Sequence, residues 1–225
     1  MPTPPSAHVL ARRLTDALVD GRVALAATDP RQRYDLFHLE HAAVRHAVPK
    51  RVNEFSAGRA AARCALSELG VPETEIPMDS DRSPIWPLGT RGSITHSSDI
   101  CLAAVAWDSD IRLLGLDVEP DLPLGSDLVP MVCTDAERAW LDTHAMPNRY
   151  AKLIFSAKES VYKAQYPYSR TLFGFETLDV ELDLARDRFS AIFREEIPGF
   201  PLGTKIAGRF LIGHGLIVTA VVEPI

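Results

Sequence analysis

The chain has 225 residues, 46% of them apolar and 24% charged, and a formal net charge of −6. That length builds one large globular domain or two small ones, and the acidic balance excludes a general nucleic-acid binder, whose affinity rests on many Lys and Arg contacts to phosphate. A small polyphosphate remains possible, because it needs only a local cluster of cations. Cys64, Cys101 and Cys133 are odd in number and lack metal-finger spacing, which points to a reducing cytoplasm. The start, Met1 to Ser6, lacks the apolar core of a signal peptide. The longest apolar run, Phe210 to Val222, is interrupted by His214 and two glycines and is too short to span a bilayer. The expectation is a cytoplasmic protein without a nucleic-acid or membrane partner.

In chain order, the pattern predicts a strand over Arg22 to Ala27, helices over Leu36 to Ala47 and Pro49 to Leu69, and a proline-rich loop from Val71 to Pro87. Strands follow at Gly92 to Thr95, Leu102 to Trp107 and Leu113 to Glu119. A long helix comes next, then a strand-rich end whose last two strands meet at Gly213-His214-Gly215. Helices mixed with hairpin-like strands indicate an α+β fold rather than a regular βαβ winding. Both halves run helix first and strands after, an order compatible with duplication that the residue identities do not establish.

The helix after Pro49 has proline in its first turn and Gly70 as its stop. At helical spacing Val52, Phe55, Ala62, Leu66 and Leu69 form an apolar arc; Arg59 falls inside it, and Arg51 and Arg63 flank it. An arginine so placed either snorkels to solvent, the commoner outcome, or reaches into a site, because burying it unpaired is costly. The second reading makes Arg51 and Arg59 an anion-binding row. His96, beside Ser93 and Thr95, is either a satisfied surface histidine or a phosphate contact. Nothing local decides.

In Gly115-Leu116-Asp117-Val118-Glu119, strand alternation projects Asp117 and Glu119 together and turns Leu116 and Val118 into a core. Paired carboxylates repel unless a cation sits between them, and oxygen-only ligands suit Mg²⁺ or Mn²⁺. Ser156-x-x-Glu159 matches a capping box. However, Tyr150, Leu153, Ile154, Ala157, Val161 and Ala164 keep helical spacing straight through Ser156, so one helix is predicted from just after Pro147 to just before Pro167. Glu159 and Lys163 lie four residues apart on its opposite face, with Phe155 and Lys152 one and two turns earlier. Alone, such a pair is a surface ion pair worth roughly 0.2–0.5 kcal/mol.

Taken in order, several segments resemble the 4′-phosphopantetheinyl transferase superfamily, most closely its enterobactin-synthetase-activating, surfactin-type subgroup. They are Gly58-Arg59-Ala60-Ala61-Ala62-Arg63, then Ser83-Pro84-Ile85-Trp86-Pro87-Leu88-Gly89 leading to Gly92-Ser93-Ile94-Thr95-His96-Ser97. Gly115-Leu116-Asp117-Val118-Glu119 follows, then Phe155-Ser156-Ala157-Lys158-Glu159-Ser160 with Lys163. Order and spacing match from about Lys50 to Phe175.

The resemblance implies a monomer of two similar α+β halves, residues 1–112 and 113–225, packed pseudo-symmetrically with a coenzyme A site in the cleft between them. It implies Asp117, Glu119 and Glu159 as ligands of Mg²⁺, with Mn²⁺ an alternative. It also implies Arg51 and Arg59 on the 3′-phosphate and neighbouring phosphates of coenzyme A, His96 on another with the Ser93 and Thr95 hydroxyls nearby, and Lys158 and Lys163 near the diphosphate. Close relatives carry a lysine ahead of the Pro-x-Trp-Pro segment. This chain has Met78-Asp79-Ser80-Asp81-Arg82 there, which leaves Arg82 as the candidate for the nucleotide end.

The implied reaction moves the 4′-phosphopantetheine arm of coenzyme A onto a serine of an apo acyl or peptidyl carrier protein, releasing adenosine 3′,5′-bisphosphate. Such transfer needs positioning and charge neutralisation more than covalent help. Glu159 is the expected general base, directly or through a metal-bound water, and Lys163 the fixed cation where charge develops. Siderophore, polyketide, nonribosomal peptide and fatty-acid carriers all present the same serine. The rivals are another Mg²⁺-dependent phosphoryl or nucleotidyl transferase, against which the chain lacks a phosphate loop or dinucleotide fingerprint, and a catalytically silent coenzyme A or carrier-binding protein.

Overall fold

A computed structural model describes residues 18–19 and 21–225. The opening segment read for a leader, Met1 to Ser6, lies outside the described residues. The chain forms two compact units. One ends at Leu114 and includes Pro224–Ile225, and the other is Gly115–Glu223.

In the first unit, β1 (Val23–Thr28), β2 (Thr90–His96) and β3 (Cys101–Trp107) form an antiparallel sheet in the order β1-β3-β2. Against it packs α1 (Pro49–Glu68), through Ala61, Ala62, Ala65 and Leu66 on the helix and Ala24, Ala26, Ala103 and Val105 on the sheet. Alanine on both sides lets backbone approach backbone. Gly58 continues the seam, where a Cβ would stand 3.0 Å from Ile94 Cγ2. The helix opens on a proline whose missing N–H has no intrahelical partner to lose, and Gly70, at φ 78°, follows its last turn. The segment predicted as a helix over Leu36 to Ala47 is instead a 3-10 helix, His38–Val44. Its Glu40 is fully buried and accepts from Phe37 N, Ile76 N and Arg63 Nη1, so side-chain anchoring rather than an α-helical ladder holds that stretch.

In the second unit, β4 (Ile111–Pro120), β5 (Leu178–Asp183), β6 (Arg188–Phe193), β7 (Lys205–Gly213) and β8 (Leu216–Pro224) form a sheet in the order β4-β8-β7-β6-β5. β5 to β8 is an antiparallel meander. Its last hairpin turns on His214 and Gly215, both at positive φ (55° and 77°), the two-residue geometry that matches strand twist. The helices are α2 (Val129–Val132), α3 (Asp135–Leu141) and α4 (Pro147–Ser169). α3 begins on a reciprocal cap between Thr134 and Glu137. α4 runs through Ser156 without a break, as its periodicity predicts, but continues past Pro167. A proline so near the end costs only the last-turn bonds, and Arg170, at φ 49°, closes the helix by donating its N–H to Tyr166 O.

Each unit thus sets a sheet against one long helix, the α+β class predicted. No helix among the described residues is long and apolar enough to cross a membrane.

Candidate active site

Gly115 decides which charged groups of the second unit meet. A Cβ there would lie 1.9 Å from Ser160 O and 2.8 Å from Ala164 N, so its absence lets the backbone of α4 rest directly on β4. Two residues along β4, Asp117 is 3% exposed and accepts from Lys163 Nζ at 2.6 Å and Ser156 Oγ at 2.8 Å. Ser156 is itself fixed by Thr219 of β8, whose Oγ1 donates to Ser156 O at 2.8 Å and lies 3.0 Å from Ser156 Oγ. Glu119, on the same side of β4, accepts from Lys152 Nζ at 2.9 Å. Arg149 grips Asp121 through Nε and Nη2, at 2.8 and 2.6 Å, and ties the start of α4 to the stretch just beyond β4.

Glu159 stands in the field of this cluster. Burial pushes its carboxyl above the usual value of 4.5; Lys163 opposes the rise, and the charges of Asp117 and Glu119 add to it. Cys101 and Cys133 are pushed by burial up to about 12, which keeps both as thiols rather than nucleophiles.

Beside Glu159 a cavity of about 210 Å³ is lined by Tyr162, Leu172, Phe173, Phe175 and Leu178, with Gly174 and Lys158 at its wall. Its aromatic shell is braced by Phe155 against Phe175 and Tyr162 against Phe173, with ring centroids 5.5 and 5.4 Å apart. Lys158 departs from expectation. Its three N–H bonds go to Glu137 Oε2, Val132 O and Phe175 O, which leaves no donor for a phosphate.

The first unit brings two of its predicted residues together. Arg51 Nη1 lies 3.4 Å from His96 Nε2. Arg59 does not snorkel; it is 5% exposed, donates Nε to Ile76 O at 2.6 Å and stacks its guanidinium over Phe55. Burial above all, with the like charges of Arg51 and Arg63, brings its pKa down to about 10 against the opposing pull of Glu40. An anion at its Nη groups would relieve that repulsion. Arg63, by contrast, is committed to Glu40 at 2.8 Å. Ser93 and Thr95 are both buried, and alternation along β2 turns them to the face opposite Ile94 and His96. Arg82 sits exposed at φ 71° in the turn between Met78 and Pro84 and makes no ion pair among the described residues.

Two family models match the chain in tandem. That of the 4′-phosphopantetheinyl transferase N-terminal domain covers residues 39–106, and that of the 4′-phosphopantetheinyl transferase superfamily covers 113–208. Over 193 residues, 83% of this chain and 78% of the relative, it is 39% identical to 4′-phosphopantetheinyl transferase Svp of Streptomyces mobaraensis. The chain belongs to the 4′-phosphopantetheinyl transferase superfamily. It is also 37% identical to the transferase Npt of Nocardia iowensis over 186 residues, 77% of this chain and 83% of the relative. Against enterobactin synthase component D of Salmonella typhimurium the identity is 38% over 153 residues, 66% and 63% of the two chains. The resemblance read from the motifs is borne out.

Members of this superfamily use coenzyme A. For a divalent ion the donor chemistry of Asp117, Glu119 and Glu159 fits, being oxygen alone, and the mutual repulsion felt at Glu159 is what such an ion relieves. Among the described residues, however, no three His, Cys, Asp or Glu side chains are drawn together closely enough to hold a metal. Lys163 and Lys152 occupy oxygens of two of these carboxylates, and holding an ion there requires the ammonium groups to yield them.

Sequence reasoning missed Thr219 and the pairing of Lys152 with Glu119. Thr219 lies 63 residues from Ser156, with no local pattern to connect them.

Proposed function

We propose that this superfamily member transfers the 4′-phosphopantetheine arm of coenzyme A to a serine of apo acyl or peptidyl carrier proteins, with the chemistry at Glu159 and Lys163. The observation that carries this reading is the Lys163–Asp117 pair at the close contact of α4 with β4, on the helix that carries the partly buried Glu159. The serine oxygen attacks the β-phosphorus, its proton passes to Glu159, and the bond to the bridging oxygen breaks to release adenosine 3′,5′-bisphosphate. Lys163, once it yields Asp117 to the ion, supplies a positive charge where the leaving oxygen gains electrons. Asp117, Glu119 and Glu159 would hold Mg²⁺ or Mn²⁺, which supplies charge neutralisation on the diphosphate. Arg51, Arg59 and His96 bind the phosphates of the nucleotide end, and the aromatic cavity beside Glu159 takes the arm. Arg82 is the remaining cation for the nucleotide. A monomeric, cytoplasmic protein divided as 1–112 and 113–225 completes the proposal.

Intact-protein mass spectrometry tests it. An apo carrier incubated with this protein, coenzyme A and Mg²⁺ should gain the mass of one arm, and the gain should vanish with EDTA. No gain across siderophore, polyketide, peptide and fatty-acid carriers, with coenzyme A still bound, would replace the transferase with a silent binding protein.

Arg51 offers a separate check, because it is half-exposed and its removal leaves the core untouched. A charge-assisted hydrogen bond is worth about 1.5–3 kcal/mol, so Arg51→Met should raise the KM for coenzyme A by at least ~10-fold. Dephospho-coenzyme A, which lacks the 3′-phosphate, should be used by parent and variant alike. Equal losses with both would remove Arg51 from that phosphate.

A further inference from the structure

Lys158 and Glu137 are buried together, their side chains 1% and 2% exposed. A buried ion pair loses more in desolvation than it regains in attraction unless its remaining donors and acceptors are satisfied. Here they are. Lys158 Nζ donates to Glu137 Oε2 at 2.8 Å and to Val132 O and Phe175 O at 2.9 Å each. Glu137 accepts in addition from Thr134 N at Oε2 and from Val180 N at Oε1, both at 2.7 Å.

Two of these bonds reach the wall of the cavity beside Glu159. Phe175 lines it directly, and Val180 lies on β5 two residues beyond Leu178, another lining residue. The stretch that supplies Leu172, Phe173 and Gly174 has no regular secondary structure, and the side-chain bonds to Phe175 O and Val180 N hold the chain immediately after it. A pair that served only to hold α3 against α4 would use neither Phe175 O nor Val180 N.

We propose that Glu137 and Lys158 are positioning residues for arm transfer: the pair fixes the cavity wall next to Glu159 in the shape that receives the pantetheine arm, and Lys158 touches no phosphate. This rests on the transferase reading given above. Lys158 is adjacent to Glu159 on α4, so one buried contact sets both the wall and the turn that carries the base.

The test compares the parent with Glu137→Gln, Lys158→Met and the double variant by calorimetric titration with coenzyme A and with adenosine 3′,5′-bisphosphate, which lacks the arm. KM and kcat for transfer and amide hydrogen exchange over residues 172–175 are measured on the same proteins. Glu137→Gln should weaken coenzyme A by about tenfold and leave the bisphosphate within about twofold. Lys158→Met should show the same selectivity, and the double variant should be no worse than Lys158→Met alone, because coupled residues are not additive. Exchange over 172–175 should rise in each variant while β6 and β7 stay protected.

Weakening of both ligands by Lys158→Met and of neither by Glu137→Gln would make Lys158 a phosphate contact and overturn the proposal. So would losses of both ligands that track thermal stability alone. If Lys158→Met does not fold, Glu137→Gln, which preserves shape and an acceptor, decides by the same criteria. A parent that binds coenzyme A and transfers the arm, with variants matching it, sinks the positioning role alone; a parent that does neither sinks the transferase reading.

Discussion

Glu159→Gln should lower turnover by at least ~100-fold, the low end of what removal of a general base costs. The substitution keeps the volume of the side chain and removes its negative charge, and with it both the capacity to take the serine proton and one carboxylate for the divalent ion. The same variant carries a second signature without divalent ions. In the folded chain the carboxyl is raised above 4.5, chiefly by burial and then by Asp117 and Glu119 against the pull of Lys163, so the folded state holds that proton more tightly than the unfolded chain. The stability contributed by this group is therefore full below pH 4.5 and is lost as pH rises through the raised value. Glu159→Gln should melt higher than the parent at neutral pH, and the difference should shrink on acidification. Parent-like turnover would remove Glu159 as base. A melting difference that does not change with pH would contradict the crowded carboxylate.

Gly115→Ala should destabilise the second unit by about 3 kcal/mol, the upper range for overpacking a tight contact. The obstruction is backbone: Ser160 O at 1.9 Å and Ala164 N at 2.8 Å cannot rotate away as a side-chain tip would. Relief requires α4 to lift from β4, which separates Lys163 and Ser156 from Asp117 and moves Glu159 with them. Activity should fall with stability in this variant, and chemical denaturation with parallel turnover assays reads both. Gly21→Ala, where a Cβ meets nothing within 4 Å, is the control and should shift stability by no more than about 0.5 kcal/mol. A Gly115→Ala protein as stable and active as the parent would mean that the α4–β4 approach does not set the site.

The elements that read clearly were those whose pattern is local. The helix through Ser156 was visible because six apolar positions keep one phase across it, and β4 because Asp117 and Glu119 alternate with Leu116 and Val118. The His214-Gly215 hairpin was visible because the turn residues sit between two apolar runs. The segment before α1 misled because its apolar spacing suits a helix, whereas the buried carboxylate of Glu40, reached by Arg63 and Ile76 from elsewhere in the chain, holds it as a 3-10 turn.

Residue types and spacing by themselves determined the α+β class, the family, the carboxylate pair on β4 and the Glu159–Lys163 face of α4. Each of these depends on neighbours within a turn or along one strand, or on an ordered run of motifs. Only the tertiary structure decided what each charged group is bonded to. Lys158 and Lys163 lie five residues apart on one helix and carry the same charge, yet Lys158 is sealed against Glu137 and Lys163 reaches Asp117. Arg59 and Arg63 likewise share α1, but one is stacked on Phe55 and the other is locked to Glu40. A long cationic side chain pairs with whatever acceptor the packing of distant segments leaves within reach, and that packing is not written in the local pattern.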